Sequence, residues 1–389
     1  MTLNKRRICV VVTARPSYSR IKTAMLAMKE HPEIELQVVL AASSLLERYG
    51  NASRIIEKDG FDIAARVYNV LEGENLTSSA RTTGVGIIEL ASVFERLSPH
   101  AVVTIADRFE TMATAVAASY MNIPLIHIQG GEVTGNIDEK VRHAVSKLSD
   151  VHLVASENAR ARLIKMGEDP KMIFNTGCPS IDIARMVSEC NVSGLVNGFD
   201  AKYGGVGKPV DYKSPYAVVM QHPVTTEYEK SRSQVELTLN VMESLNIPVI
   251  WFWPNVDAGS DGTSKGIRAF RERSSQNKFY FLKNMEPVDF LALLKNSMVL
   301  VGNSSVGIRE CAYLGVPVVN IGSRQNGRVR GTNVIDVEHD FESLKSAILK
   351  QIAHGPYSAS HLYGDGYSGQ RIAEILAKVD LTINKQITY

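Results

Sequence analysis

The chain has 389 residues, of which 44% are hydrophobic and 22% charged, and its formal net charge at pH 7 is +2. A chain of this length is too long for one small core and fits two domains of ordinary size. The small net charge excludes the strong field that attracts nucleic acid or an anionic membrane, so we expect neither as a partner.

The first predicted element is a strand near the N-terminus. Lys5, Arg6 and Arg7 precede an apolar run, an arrangement that superficially resembles a signal peptide. The run Ile8–Ala14 is short and rich in β-branched residues and ends at Arg15, so it predicts a buried strand instead. No stretch of the chain approaches the ~20 apolar residues that a membrane span requires.

The cysteines and histidines give no sign of a metal site. Cys9, Cys178, Cys190 and Cys311 are scattered, with neither CxxC nor metal-like spacing, and the histidines form no ligand pattern. Such cysteines are typical of reduced core thiols. We therefore expect a cytoplasmic protein without structural metal and without a cofactor.

Short β-rich runs alternate with longer helical patterns through most of the chain, which is typical of βαβ units and a mainly parallel sheet. In the first half, the predicted strands are Ile8–Thr13, Leu36–Ala41, Ala101–Ile105, Leu125–Ile128, His152–Ala155 and Ile173–Thr176. The predicted helices there are Ser17–Glu30, Ser79–Leu97, Asp107–Met121, Ile137–Ser149 and Glu157–Met166. In the second half, the predicted strands are Ala217–Met220, Val249–Phe252, Phe279–Leu282, Val299–Val301 and Val316–Asn320. Helices are predicted near Ser231–Ser244, Pro287–Leu294, Ser304–Leu314 and Phe341–Ala353.

The region Val187–Ser214 breaks this alternation. It is rich in Gly, Asn, Ser, Lys and Asp and has no helical stripe, which favours a domain junction. We predict an N-terminal Rossmann-like domain over residues 1–186 and a C-terminal one over 187–366, with a helix in 367–389 that packs back on the first. The predicted fold class is α/β, with two Rossmann-like domains facing a central cleft.

Carboxylates follow consecutive predicted strands of the first domain. Asp107 and Glu110 follow one strand, Glu132 follows the next, and Asp138 comes shortly after. Open α/β sheets bind ligands at these strand ends, and carboxylates gathered in a cleft can transfer protons. Asp107 also suits the N-cap of the next helix, the commoner role of such an aspartate. Glu110 suits the first turn of that helix, where an acid complements the dipole.

Two glycines precede Glu132, and a capping box precedes the following helix. Gly130-Gly131 lets the backbone approach a ligand or adopt positive φ, which favours a functional role for Glu132. Asn136 and Glu139 have the spacing of a capping box, which leaves Asp138 available for chemistry. Arg142 and His143 lie four residues after Asp138 and Glu139, so ordinary ion pairing on the helix is their simplest role.

Cations and helix starts predict an anion site. Arg15 lies where the first strand meets the first helix, Arg108 can reach a phosphate or pair with Asp107, and His222 follows the first strand of the second domain. Asn303 can cap a helix that opens with Ser304 and Ser305, where amide and hydroxyl groups can hold a phosphate. Further candidates are Glu310 for ribose hydroxyls, and Arg324, Arg328 and Arg330 for the phosphates.

The chain resembles the UDP-N-acetylglucosamine 2-epimerase family, specifically its hydrolysing branch, which includes bacterial sialic-acid biosynthesis epimerases and the epimerase half of an animal bifunctional enzyme. The resemblance runs from Thr13-Ala-Arg15 to Tyr363-Gly-Asp-Gly366. The matching blocks between them are Tyr49-Gly-Asn51, Asp107-Arg-Phe109, His127-Ile-Gln-Gly-Gly-Glu132, Asp138-Glu-Lys-Val-Arg-His143, His222-Pro-Val-Thr-Thr226, Pro254-Asn-Val-Asp-Ala-Gly-Ser260 and Gly302-Asn-Ser-Ser305. Together and in this order the blocks are highly specific.

The resemblance implies a GT-B fold and a reaction in which UDP-GlcNAc is converted to N-acetylmannosamine and UDP through 2-acetamidoglucal, for sialic acid biosynthesis. It implies proton transfer by Asp107, Glu132 and Asp138, with His222 assisting near the diphosphate. The implied UDP-sugar-binding residues are Arg15, Arg108, His222, Asn255, Ser304, Ser305, Glu310 and Arg324. The family is commonly oligomeric, so we expect a homodimer or homotetramer; the apolar stripe of Ser79–Leu97 suits an interface and core packing equally well.

Two positions depart from the family pattern. Related enzymes carry Glu or His where this chain has Gln129, which cannot titrate, and hydrolysing members usually carry an acid where Ser17 stands. A second candidate substrate is UDP-2,4-diacetamido-2,4,6-trideoxyglucose, of the legionaminic acid pathway. The sequence also leaves open a nonhydrolysing epimerase, a non-catalytic UDP-sugar-binding protein and a GT-B glycosyltransferase.

Overall fold

The computed structural model describes residues 5–47, 52–71, 76–106, 108–133, 137–190, 196, 198–254, 260–273, 278–381, 383 and 385–388. The chain forms two compact units. Unit 1 contains the described residues of Met1–Val133, Ile137–Asp182 and Tyr363–Tyr389, and unit 2 contains those of Ile183–Leu362. The chain therefore passes between the units at Asp182 and again at Leu362, whereas the predicted domain limits are 186 and 366.

Unit 1 is built on a seven-stranded sheet in the order β3-β2-β1-β4-β5-β6-β7, and all of its strand pairs are parallel. Its strands are β1 Arg6–Val12, β2 Ile34–Ala41, β3 Ile63–Val67, β4 Ala101–Ile105, β5 Leu125–Ile128, β6 Val151–Val154 and β7 Ile173–Asn175. The helices of unit 1 are α1 Arg15–Glu30, α2 Ala52–Lys58, α3 Leu76–Leu97, α4 Thr111–Tyr120, α5 Ile137–Leu148 and α6 Glu157–Lys165. Helix α7, Pro179–Glu189, starts in unit 1 and ends in unit 2.

Strand β1 shows why the sheet of unit 1 is covered on both faces. Successive side chains of a strand point to opposite faces. Ile8, Val10 and Val12 belong to one buried cluster, together with α1 and the C-terminal helix, whereas Cys9 and Val11 belong to a second cluster with α3 and α4. An apolar run without polar alternation is the pattern of a parallel strand buried on both faces.

Unit 2 repeats this architecture in the order β14-β13-β12-β9-β10-β11-β8. Its strands are β8 Val206–Gly207, β9 Ala217–Met220, β10 Val249–Phe252, β11 Phe279–Leu282, β12 Val299–Gly302, β13 Val318–Ile321 and β14 Val334–Val337. Strand β8 is antiparallel to β11, and the other pairs are parallel. The helices are α8 Phe199–Tyr203, α9 Ser231–Ser244, α10 Ser260–Arg273, α11 Pro287–Lys295, α12 Ser305–Ile308, α13 Glu310–Leu314 and α14 Phe341–His354. The last helix, α15 Ser368–Lys378, belongs to unit 1 and packs on α1.

The order of the strands places a topological switch point in each sheet. From β1 the chain continues to β2, towards one edge of the sheet, and from the neighbouring β4 it continues to β5, towards the other edge. In unit 2, β9 and β12 are neighbours whose next strands also lie towards opposite edges. A crevice forms at the carboxyl ends of such strand pairs, and it is the usual ligand site of open α/β sheets. Most of the residues that the sequence singles out follow these strands.

Several boundaries differ from the sequence prediction. Helix α4 begins at Thr111 rather than at residue 107, and Phe109 and Glu110 form a turn before it, in which Thr111 N donates to Arg108 O at 2.9 Å. The predicted junction Val187–Ser214 contains the end of α7, the short helix α8 and strand β8, so the expectation that it lacks helix is wrong. Strand β3 is half-exposed at the sheet edge and gave no apolar run to recognise.

The cysteines and the apolar stripe of α3 are mostly buried. Cys9, Cys178 and Cys311 are buried thiols, whereas Cys190 is exposed. Leu90, Val93 and Phe94 of the stripe lie in the core, and Ile88 is exposed. Within the ranges described above, no helix has both the length and the apolar character needed to cross a membrane.

A buried carboxylate joins the C-terminal segment to unit 1. Glu168 is 3% exposed, and its oxygens lie 2.6 Å from Lys147 Nζ, 2.9 Å from His152 Nε2 and 2.6 Å from Lys385 Nζ. Burial alone would raise the pKa of Glu168, but the hydrogen bonds from His152, Lys147 and Lys385 together lower it from 4.5 to about 2. The ionised carboxylate is therefore a stabilising group of the folded state.

Replacing Glu168 by glutamine should lower the free energy of unfolding at pH 7 by about 2–3 kcal/mol, because three donors lose their shared anionic acceptor. Since the folded-state pKa lies below the unfolded value, the contribution is fully present above pH 4.5 and is lost as the pH falls towards about 2. The difference in free energy of unfolding between wild type and Glu168→Gln should therefore shrink as the pH falls from 4.5 towards about 2. Urea unfolding followed by far-UV circular dichroism at several pH values measures this difference.

The matched control is Glu236→Gln, which removes the acid of an exposed Arg232–Glu236 pair at 2.9 Å on α9. Exposed pairs of this kind contribute about 0.3–0.5 kcal/mol. Equal losses in the two variants would show that the buried cluster contributes no special stability.

Candidate active site

The turn that directly follows the C-terminal end of a strand is here called the exit of that strand. The exit of β4 is held by a buried histidine from β5. Ala106 has a φ of 66°, and its N–H donates to Ile128 O at 3.0 Å. His127 Nε2 lies 2.8 Å from Ala106 O, and His127 Nδ1 lies 3.0 Å from Ser146 Oγ. Burial lowers the pKa of His127 to about 3, so the ring is neutral: its Nε2–H donates to Ala106 O and its Nδ1 accepts from Ser146. Position 107 follows this fixed turn, although Asp107 itself lies outside the described residues.

Arg108 and Glu110 form an ion pair in the turn after β4. Glu110 is 3% exposed, and its two oxygens lie 3.2 Å from Arg108 Nε and 3.4 Å from Arg108 Nη2. Ser43 Oγ, in the turn after β2, is 3.4 Å from the same carboxylate. Glu110 occupies the N-cap position of α4 but makes no capping hydrogen bond. The N-cap position expected for Asp107 is therefore taken by Glu110, whose carboxylate serves Arg108 and Ser43 instead.

The glycine-rich turn after β5 presents Glu132. Gln129 has a φ of 63° and Gly131 one of 73°, both in the left-handed region. A Cβ on Gly131 would lie 2.5 Å from Ala159 O, so only glycine fits there. Glu132 is 6% exposed, and its carbonyl accepts from Arg142 Nη1 at 3.1 Å. The turn is thus fixed by packing and by a buried guanidinium, and it holds the Glu132 backbone at the carboxyl edge of the sheet.

The side chain of Gln129 points towards the start of α7. Its Nε2 donates to Cys178 Sγ at 3.0 Å, and Cys178 Sγ is 2.9 Å from Ser180 Oγ. Gln129 is 2% exposed and Cys178 is fully buried. The amide therefore anchors the turn that carries Glu132. A titrating group is not what this contact requires.

Helix α5 supplies the residues that follow Glu132. Glu139 Oε1 lies 3.4 Å from His143 Nε2, as the i,i+4 spacing predicts. Arg142 is 1% exposed and serves the carbonyl of Glu132. The side chain of Asp138 and the whole of Asn136 lie outside the described residues, so the predicted capping box stays a prediction.

Arg15 is the first residue of α1 and lies at the switch point of unit 1. Ala14 precedes it with extended backbone and Pro16 follows it, which suits a helix start. Arg15 is half-buried and Ser17 is buried. The carbonyl of Thr13 accepts from Ser44 N and from Ser43 Oγ, both at 3.0 Å. The exits of β1 and β2 are therefore joined beside Arg15.

In unit 2, Asn303 joins the exits of β12 and β9. Its Oδ1 accepts from His222 N at 2.8 Å, and its Nδ2 donates to His222 O at 2.8 Å. Gly302 has a φ of 142°, and a Cβ there would lie 2.1 Å from Met220 O. The two exits therefore run in close contact at the switch point, and His222, 5% exposed, is fixed through its main chain.

The serines after β12 occupy a short helical turn. Ser304, rather than Asn303, caps α12: its Oγ accepts from Val306 N at 3.4 Å. Ser305 Oγ accepts from Arg309 Nη2 at 3.0 Å. The predicted helix Ser304–Leu314 is interrupted at Arg309, so Glu310 begins a separate helix, α13. Glu310 is 7% exposed, and its Oε2 lies 3.8 Å from Arg309 Nε.

The basic loop after β13 divides into two parts. Arg324 Nη1 donates to Asn303 O at 3.1 Å, which brings Arg324 beside the exit of β12. Arg330 instead pairs with Asp336 of β14 at 2.6 Å and donates to Arg328 O. Arg330 is thus committed to the sheet edge. Asn255 lies outside the described residues, and within the described ranges no group of three or more acidic, His or Cys side chains is placed to hold a metal.

The family model described as UDP-N-acetylglucosamine 2-epimerase matches residues 26–377. The chain belongs to the UDP-N-acetylglucosamine 2-epimerase family. A Legionella pneumophila relative named UDP-N,N'-diacetylbacillosamine 2-epimerase (hydrolyzing) is 31% identical over 97% of this chain and 97% of its own length. An Escherichia coli relative named polysialic acid biosynthesis protein P7 is 33% identical over 89% of this chain and 85% of its own length.

The solved UDP-GlcNAc 2-epimerase of Neisseria meningitidis, bound to UDP-GlcNAc, shares the fold of this epimerase. The TM-score is 0.78 at 18% identity, over 95% of this chain and 99% of that chain. The predictions of the family, of an enzyme and of an α/β protein with the GT-B fold are confirmed. The assignment of individual residues to the chemistry stays a prediction.

Sequence reasoning missed the contacts by which several side chains hold the turns of this epimerase. His127 and Asn303 fix neighbouring turns, Ser43 and Glu110 tie the exits of β2 and β4, and Cys178 receives Gln129. His127 stood in a matching block only as part of a motif, and Asn303 was expected to cap a helix rather than to bind His222. No sequence signal could pair Gln129 with Cys178, because 49 residues separate them.

Gln129→Glu should destabilise the epimerase by about 2 kcal/mol at pH 7, because it puts a carboxylate in a buried site whose neighbour offers only a weak thiol donor. Gln129→Met removes the hydrogen bond without adding charge and should cost about 1 kcal/mol. Urea unfolding of the two variants measures the difference. If Gln129→Glu proves as stable as wild type, the amide contact with Cys178 is not what holds this turn.

Proposed function

We propose that this epimerase is a hydrolysing enzyme that converts UDP-GlcNAc and water to N-acetylmannosamine and UDP, for sialic acid biosynthesis. The observation that carries the proposal is the clamped turn after β5, which keeps Glu132 at the carboxyl edge of the sheet beside the fixed exit of β4. Family membership over residues 26–377 supplies the UDP-sugar. The E. coli relative, by its name, belongs to polysialic acid biosynthesis.

The reaction needs two proton transfers at carbon. A carboxylate removes the proton from C2 while the C1–O bond to UDP breaks on the opposite face, which gives 2-acetamidoglucal. Water then adds to C1 and a proton returns to C2 on the face opposite to its departure, so that N-acetylmannosamine leaves. Asp107, Glu132 and Asp138 are the proposed proton-transfer groups, since positioned carboxylates are suited to this work.

The departing UDP carries growing negative charge that the enzyme must stabilise. In unit 2, His222 and Arg324 are both held by Asn303, next to Ser304 and Ser305. We assign the diphosphate to these residues, with Asn255 as a further contact and with Glu310 as acceptor for ribose hydroxyls. In unit 1, Arg15 and Arg108 are the proposed cations for the substrate. No cofactor is required by this scheme, and we propose a homodimer or homotetramer.

A second substrate is favoured by one specific observation. The Legionella relative, 31% identical over nearly the whole chain, is named as a hydrolysing 2-epimerase of UDP-N,N'-diacetylbacillosamine. That sugar is the 2,4-diacetamido-2,4,6-trideoxy derivative, and it undergoes the same chemistry at C1 and C2. The two substrates differ only at C4 and C6, far from the bonds that break.

A proton NMR time course in D2O, without added metal or nucleotide cofactor, tests the proposal. With UDP-GlcNAc we expect free N-acetylmannosamine, deuterated at C2, together with an equal amount of UDP. Accumulation of UDP-N-acetylmannosamine instead would move the enzyme to the nonhydrolysing branch. The diacetamido sugar is measured in parallel. If its kcat/KM is higher than that of UDP-GlcNAc, the diacetamido sugar is the substrate. If the protein binds both sugars and turns over neither, it is a non-catalytic UDP-sugar-binding protein.

Glu132→Gln and Asp107→Asn should each retain UDP binding and lose turnover by at least about a thousandfold, because an amide cannot act as a general base or acid near neutral pH. Isothermal titration with UDP and the NMR assay measure the two properties separately. The control is Glu95→Gln, which neutralises an exposed acid on α3 and should change neither. Near-normal turnover in both active-site variants would remove these carboxylates from the mechanism.

A further inference from the structure

Asn303 makes an unusually complete set of contacts at the switch point of unit 2. It is 1% exposed, and its side chain both accepts from His222 N and donates to His222 O, each at 2.8 Å. Its own N–H donates to Met220 O at 3.1 Å. One residue after β12 thus fixes the last residue of β9 and the turn that follows it.

The carbonyl of Asn303 extends the same contact to β13. It accepts from Arg324 Nη1 at 3.1 Å and from Gln325 Nε2 at 2.8 Å. Gln325 is 1% exposed, so this second bond is shielded from water. The exits of the adjacent strands β9, β12 and β13 therefore meet at one residue.

A second link joins the exits of β9 and β13. Ser323 Oγ donates to Glu227 Oε1 at 2.6 Å, and Gln234 Nε2 donates to Glu227 Oε2 at 2.8 Å. Ser323 directly precedes Arg324, and Glu227 lies five residues after His222. This link supports the geometry that Asn303 sets, from the more exposed side of the turns.

We propose that Asn303 is a positioning residue that sets His222 and Arg324 relative to each other and to Ser304, so that the three act together on a diphosphate. The inference rests on the proposed function, because that function supplies the diphosphate. The link to His222 requires the amide side chain, because its planar group places a donor and an acceptor side by side, opposite the C=O and N–H of His222. A carboxylate offers no donor, and an alkyl group offers neither.

Asn303→Asp tests the role with almost no change in shape. The variant places a carboxylate oxygen against the buried carbonyl of His222, so the turn must move away. We expect the Kd for UDP to rise at least tenfold, which corresponds to about 1.4 kcal/mol. If Asn303→Asp fails to fold, Asn303→Ser replaces it in the test. This variant keeps one small hydroxyl and adds no charge, and it should also raise the Kd for UDP.

The matched control is Asn333→Asp, also in unit 2. Asn333 is 2% exposed, and its Nδ2 donates to Val316 O at 2.9 Å, so the chemical change and the burial are the same. This variant should lower the melting temperature without changing the Kd for UDP. An equal rise in Kd in both variants would reduce the effect of Asn303→Asp to general destabilisation and overturn the proposal.

A double-mutant cycle with His222→Ala separates positioning from general support. If Asn303 acts through His222, adding Asn303→Ser to His222→Ala should raise the UDP Kd by a smaller factor than Asn303→Ser alone. Equal factors in the two backgrounds would overturn the proposal. If the wild type does not bind UDP, the proposed function fails and this inference fails with it. If the wild type binds UDP and Asn303→Ser binds it with the same Kd, this inference is wrong and the proposed function is unaffected.

Discussion

Buried side chains that hydrogen-bond to the backbone of a neighbouring turn hold the carboxyl edges of both sheets. His127 binds the carbonyl of Ala106, Asn69 Oδ1 accepts from Ala42 N at 2.9 Å, and Asn303 binds both backbone groups of His222. Each contact joins the carboxyl ends of two strands that are neighbours in the sheet. A parallel sheet needs such contacts, because its strands end in turns whose backbone groups have no ladder partner.

These contacts also explain how the chain tolerates unusual backbone. Ala42, Ala106 and Gln129 have φ values of 52°, 66° and 63°, in a region that costs a non-glycine residue about 1 kcal/mol or more. A buried hydrogen bond contributes a similar amount, about 1 kcal/mol. At Ala42 and Ala106, a hydrogen bond between a distant side chain and the backbone therefore offsets a strain of similar size. Two of the three strained residues, Ala106 and Gln129, lie in the turns that follow β4 and β5.

The sequence predicts the scaffold better than the turns. Apolar runs such as Ile8–Val12 identify buried parallel strands, because alternation is absent when both faces are covered. The start of α4 could not be read in the same way, since the pattern from 107 onward suits a helix, whereas the helix begins at Thr111 after a turn at Phe109 and Glu110. Asn303 posed the same difficulty: Asn before Ser-Ser resembles an N-cap, but tertiary contact with His222 takes its side chain away, and Ser304 caps instead.

Gln129 shows how a departure from a family pattern can be structural. The amide stands where the resemblance leads us to expect Glu or His. On sequence alone, either this position is not the essential base in the hydrolysing branch or the activity is altered. Its side chain is directed at Cys178, which in turn contacts Ser180, so a neutral donor is what the site needs. Glutamine does not titrate, so Gln129 is not among the groups that we propose for proton transfer. The contact between Gln129 and Cys178 fixes the backbone from which Glu132 extends three residues later.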